Sequence, residues 1–189
     1  MTDPDTGPTP GWAWNMVGEC LAGLDRRWRH SLRAHAQSHR LGRLFTDAEQ
    51  LEVLMVAALL HDIGYGSELV RTGFHAIDGA LFLRERGVDE QVVSLVAHHS
   101  CAAVEADVRG LSAEMSRFPA HPVPLLVDAM IWCDMTSGPT GEEVGIDWRL
   151  EDIRRRYPPG SVVARTVEIT EPLLRAGWSR VEGHLGRPL

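Results

Sequence analysis

The chain has 189 residues, 44% of them hydrophobic and 24% charged, with a formal net charge of −7. That length suits one domain with a substantial core, and no apolar run reaches the roughly 18 residues a membrane span needs. The negative balance disfavours a nucleic-acid polymer as partner, because phosphate contacts draw on basic residues. All 19 basic residues are arginine, which excludes a P-loop lysine and lysine Schiff-base chemistry.

Residues 1–10, acidic and rich in Pro and Gly, read as a disordered leader. They carry neither the basic region nor the apolar core of a signal peptide, so a cytoplasmic protein is expected. Helices are expected over 11–23, 25–42, 47–61, 75–86, 89–100, 122–136, 147–157 and 161–185. Thr46 and Asp47 offer a hydroxyl or carboxylate cap to the third, and Gly64-Tyr65-Gly66 ends it. Gly87 breaks the pair after it, Pro122 and Pro124 suit a helix entrance, and Pro158-Pro159-Gly160 is a strong stop. The stretch 102–121 reads as a short helix with loops. No segment alternates with period two, so the expected fold class is all-α: a compact single-domain helical bundle over 11–189. Its motif core covers about 25–137, and its C-terminal helices cover 147–185.

The chemistry concentrates at His61-Asp62, which closes the apolar run Leu51–Leu60. An imidazole and a carboxylate at the end of a buried helix need compensation, and a divalent cation is a common remedy. Further ligands are then expected on buried stripes. Val123, Val127, Met130 and Asp134 follow steps of 4, 3 and 4, and so do Val88, Val92, Leu95 and His99. His98 is rotated by about 100° from that stripe. His75 opens the helix that buries Ile77, Leu81 and Phe82. In the second helix, periodicity leaves His30 and His35 open as alternatives.

The ordered set His30, His61-Asp62, His75, His98-His99, Asp134 resembles the HD superfamily of metal-dependent phosphohydrolases. The matching stretches are Arg27-Trp28-Arg29-His30, His61-Asp62-Ile63-Gly64, Phe74-His75 with Gly79, Ala97-His98-His99-Ser100, and Asp128-Ala129 with Asp134. They span roughly residues 25–137. The resemblance implies an HD-type bundle with its metal site between core helices. It favours His30 over His35 and implies that His30, His61, Asp62 and Asp134 hold a first metal. His75, His99 and His98 would hold a second, with Asp62 bridging the two and acting as the catalytic carboxylate. Tyr65 stands where many relatives have a lysine, and a phenol supplies no positive charge.

Imidazole and carboxylate ligands suit one or two divalent transition metals, Mn, Fe, Co, Ni or Zn. Such a metal makes water a good nucleophile near neutral pH. The implied activity is hydrolysis of a small phosphomonoester or phosphodiester, a nucleotide or related molecule. An HD-type di-iron oxygenase acting on a small phosphonate or polyol is the alternative, and a non-catalytic metal-binding sensor domain is another. No substrate-binding residue is assigned; Thr136 and Ser137 suit either a substrate phosphate or helix termination. The Arg154-Arg155-Arg156 run is expected on a solvated face, the six tryptophans in the core, and His39, His121 and His184 at the surface. Cys20, Cys101 and Cys133 lack metal-ligand spacing and read as reduced thiols, with Cys133 packed beside Asp134.

Overall fold

A computed structural model describes residues 10–186 of the chain. The leader expected over 1–10 lies outside these residues except at Pro10, where the first helix begins. The order is α1 (Pro10–Cys20), α2 (Asp25–Arg40), α3 (Ala48–Leu60), α4 (His75–Glu85), α5 (Glu90–His98), α6 (Ala102–Arg109), α7 (Ser112–Met115), α8 (Pro124–Met135), α9 (Ile146–Arg156) and α10 (Val162–His184). Among the described residues there is no strand, only an isolated bridge between Ser137 and Glu143. No described helix is long and apolar enough to cross a membrane.

Local chemistry accounts for the helix starts. Asp47 caps α3 by accepting the Glu49 N–H at 2.9 Å, and Asp89 caps α5 through the Gln91 N–H at 2.7 Å. Pro124 opens α8, where a missing N–H costs nothing.

α3 runs through the middle of the bundle, its Leu54, Ala57, Ala58 and Leu60 fully buried. Around it pack Val17 of α1, Ala34 of α2, Val93 and Val96 of α5, and Leu126, Ala129 and Trp132 of α8, while α4, with Ile77 and Leu83, packs on α5 and on the turn that follows α3. Each fully buried large aliphatic side chain contributes about 1.5–3 kcal/mol. A smaller cluster (Ile131, Met135, Ile146, Leu150, Val167 and Leu174) joins α9 and α10 to the outer face of α8. Two polar clamps fix α10 there: Trp132 Nε1 donates to Glu182 at 2.7 Å, and both arms of Arg180 reach Asp128 at 2.6 Å. Asp128, part of a sequence motif, therefore serves α10 rather than the His/Asp cluster.

Some expectations are corrected. Trp14 and Trp148 are 41% and 42% exposed rather than in the core, because each lies on the outward side of a peripheral helix. His121 is buried rather than at the surface, its Nδ1 accepting the Val123 N–H at 3.1 Å just before α8. Arg154 and Arg155 are exposed, but Arg156 is half-buried and lines a cavity.

Candidate metal centre

α3 delivers His61 and Asp62 as its last turn gives way to the tight turn Ile63–Tyr65. Gly64 is what lets this turn touch α4. A methyl group there would lie 2.0 Å from the His75 carbonyl oxygen and 2.5 Å from the Gly79 amide nitrogen, so no other residue fits without displacing α4. Gly79 repays the approach, since a methyl on it would meet Gly64 N at 3.1 Å. The close contact brings His75, at the start of α4, beside Asp62: His75 Nε2 and Asp62 Oδ1 are 3.6 Å apart.

His99 arrives differently. α5 ends at His98, and the chain reverses through Ser100 and Cys101, non-glycine residues with φ of 46° and 63°. Positive φ is unfavourable for such side chains. The reversal leaves His99 buried, with its Nε2 3.1 Å from that of His75, and Ser100 Oγ donates to Asp134. From α2, His30 reaches Asp134 of α8, Nε2 to Oδ1 at 3.0 Å.

Two groups of donors result. In His30, His61 and Asp134, and again in Asp62, His75 and His99, one ligand atom per residue lies within 4.8 Å of the others. Asp62 Oδ1 is also 3.7 Å from His61 Nε2, so its carboxylate stands between the groups. The ring centroids of His30 and His61, of His61 and His99, and of His75 and His99 are each 5.1 Å apart.

The donors fit a transition metal. Nδ1 of His61 donates to the Ala58 carbonyl at 2.9 Å and Nδ1 of His99 to that of Val96 at 2.6 Å. Nδ1 of His30 lies 3.4 Å from the Gly138 carbonyl. For His61 and His99 this pattern selects the tautomer whose Nε2 lone pair faces inward, as metal-binding histidines require. His61 Nε2 is buried and has no hydrogen-bond partner, a costly state for a polar atom that a cation relieves.

Electrostatics prepare the same state. Burial holds the pKa of His61, His75 and His99 below the ordinary imidazole value, which keeps them neutral. For Asp62, burial favours the neutral acid but is outweighed, chiefly by the Arg27 guanidinium beside it, so its carboxyl stays well below the usual range. Asp134 behaves alike: burial is overcome by His30 and Arg149.

Arg27 Nη1 donates to Asp62 Oδ2 at 3.0 Å, and its guanidinium lies 3.8 Å from the centre of the Tyr65 ring. The same ring stacks on His75, with centroids 4.2 Å apart. Tyr65 thus supplies no charge but seats one, and it props His75 against Asp62. Burial and the neighbouring Asp62 push its phenol pKa up, so the ring stays neutral.

A cavity of about 260 Å³ opens on the donors. Its far wall is largely apolar, with Ile153 of α9 and Val163, Val167 and Leu174 of α10. Thr166 also lines it, its hydroxyl buried without a hydrogen-bond partner. Arg109, Arg149, Arg156 and Tyr157 complete the polar edge.

His98 is not brought to the cluster: its Nε2 donates to the Phe118 carbonyl at 2.7 Å. His35 points away as well, with Nδ1 bonded to Met55 O at 2.9 Å and its ring edge-on to Trp14. Thr136 and Ser137 spend their hydroxyls on the carbonyls of Trp132 and Cys133, which is helix termination. Cys133 is packed, its thiol pKa pushed up by burial and by Asp134. Arg149 and Arg156 line the cavity as well, although no motif singles them out. The available signal was Arg149 on one stripe with Ile146, Leu150 and Ile153, where an arginine is out of place unless it is paired.

The family model described as HD domain matches residues 27–134. The chain belongs to the HD domain family. HD domains bind divalent metals, and the family consists generally of metal-dependent phosphohydrolases. The matched range contains every residue of both donor groups and stops before α9. Part of this HD chain is also similar to a tRNA (cytidine(56)-2'-O)-methyltransferase of Thermoplasma volcanium, with 33% identity over 81 residues. That stretch is 43% of this chain and 22% of the methyltransferase. No solved structure matches the chain.

Proposed function

We propose that the protein is a metal-dependent phosphohydrolase acting on a small phosphoester, a nucleotide or related molecule. The observation that carries this reading is the convergence of two His/Asp donor groups beside one cavity, with His61 Nε2 buried and unpartnered among them. His30, His61 and Asp134 would hold one divalent transition metal, and Asp62, His75 and His99 a second. Bound there, such metals supply Lewis acidity that activates water and draws charge from phosphoryl oxygens. The reading takes residues 11–189 as one domain, because Val127 and Trp178 pack against both apolar clusters.

The chain's own residues have definable parts. Asp62, kept ionised by Arg27, accepts a hydrogen bond from water and aims its oxygen at phosphorus. The water oxygen bonds to phosphorus and loses a proton to the Asp62 carboxylate, the ester P–O bond breaks, and that proton passes to the departing alkoxide. Arg27 pairs with phosphoryl oxygens as charge shifts onto them. The apolar wall of α9 and α10 excludes bulk water, and Thr166 offers a hydroxyl to the organic part of the substrate. His98 has no part, being bonded to Phe118.

The test is phosphate release from a broad nucleotide and sugar-phosphate panel by metal-loaded protein, with His61→Ala as control. Release that the control lacks supports hydrolysis. No release by either protein, or turnover that requires O₂, overturns it and in the second case selects the oxygenase alternative.

A further inference from the structure

Beside the main cavity lies a second one of about 170 Å³, lined by Arg26, Arg27, His30, Pro139, Arg149 and Arg156. Four of its six lining residues are arginines, and none is acidic, in a chain whose net charge is −7. Arg26 and Arg27 come from the first turn of α2, where positive charge opposes the helix dipole. Arg149 and Arg156 come from α9, outside the range matched by the HD model.

Charge compensation for the donor carboxylates explains only part of this. Arg27 answers Asp62, and Arg149 reaches Asp134 at 3.3 Å. Arg156 holds Asp152 at 2.8 Å, but Asp152 is also contacted by Arg155 and Arg149. Arg26 has no carboxylate within ion-pair distance among the described residues. Arg149 is 7% exposed, yet its Nε–H has no acceptor. Once metal neutralises Asp62 and Asp134, the surplus of positive charge grows. Guanidinium groups in this number suit a phosphoryl dianion, which takes their forked N–H pairs.

We infer that this annex is a second anion subsite that takes a phosphoryl group, so the substrate carries one phosphoryl group at the donors and another here. Arg26, which lines the annex alone, binds the second group together with Arg149 and Arg156, and Arg27, His30, Arg149 and Arg156 border both cavities. This rests on the proposed hydrolysis for the word substrate, but the anion site itself does not.

Metal-free protein separates the two claims, because without metal the ionised Asp62 and Asp134 repel an anion from the main site. Inorganic phosphate is titrated calorimetrically into the chelated full chain and into the double variant Arg26→Gln/Arg156→Gln. Arg26 is exposed and Arg156 half-buried, and unchanged thermal melting establishes that the double variant is folded. Saturable binding of one phosphate, weakened roughly tenfold or more in the double variant and weakened by added salt, is the expected result. Arg26→Lys alone should lose part of the affinity, since it keeps the charge but not the forked N–H pair. Absent saturable binding, or binding equal in both proteins, overturns the inference whether or not the loaded enzyme hydrolyses any ester.

Discussion

At the scale of single residues, His61 and His98 make the sharpest contrast. Both end helices, both are followed by a polar neighbour, and both belong to the same ordered motif. His61 Nε2 faces the donor cluster without a partner, whereas His98 Nε2 is spent on Phe118. His61→Ala should therefore lower metal affinity by more than about 100-fold, while His98→Ala keeps its metal content; elemental analysis of the purified variants checks both. Gly64 makes a different demand. Gly64→Ala would press a methyl group into the His75 carbonyl, and overpacking of this kind costs about 1–3 kcal/mol. Denaturant unfolding should show that loss, and the displaced His75 should lower metal content with it. A Gly64→Ala protein as stable as the parent would mean that α4 can move away freely.

At the scale of elements, spacing places Asp134 and His99 on buried stripes, while the choice of His30 and the grouping of the ligands come from the family resemblance. Steps of 4, 3 and 4 put Asp134 on the buried stripe of α8, and it is indeed buried there. His99 reached the interior for another reason, since α5 stops one residue earlier and the reversal at Ser100 and Cys101 turns it inward. Periodicity gave no means of excluding His98, because its fate depends on the Phe118 carbonyl, 20 residues along the chain. Periodicity likewise does not separate His30 from His35; the resemblance favours His30, and the packing of α2 against α3 takes His35 to Met55. What escaped the sequence is α9. Its arginine run reads as solvated by composition, and only the docking of Leu150 beside Met135 and Leu174 swings Arg149 and Arg156 toward the donors. Leu150 is fully buried, so Leu150→Ala should cost about 2–5 kcal/mol and raise KM more than it lowers kcat. Steady-state kinetics at a temperature where the variant stays folded tests this. An unchanged KM would detach α9 from substrate binding.

At the scale of the whole molecule, the bundle pays for keeping a polar cluster ready inside an apolar core. The all-α class followed from helical periodicity and from the absence of alternation, and α3 is central because its sequence is apolar on nearly every side. The cluster makes stability depend on pH. His61, His75 and His99 titrate lower in the folded chain than the roughly 6.5 expected when unfolded. As pH falls below about 6.5 the unfolded chain takes up protons the fold refuses, so metal-free protein loses stability. Asp62 and Asp134 add a further loss below about pH 4, where the unfolded carboxylates protonate first. Unfolding midpoints of chelated protein measured from pH 7.5 to 3.5 should decline in those two stages. A midpoint independent of pH between 7.5 and 5 would mean the histidines are not held neutral.

The centre itself is tested most directly by anomalous X-ray scattering from crystals of protein loaded with a divalent transition metal. Two peaks are expected, one against His30, His61 and Asp134 and the other against His75 and His99, with Asp62 between them. A loaded crystal with no peak among these residues, or with metal bound only elsewhere on the chain, would contradict the assignment.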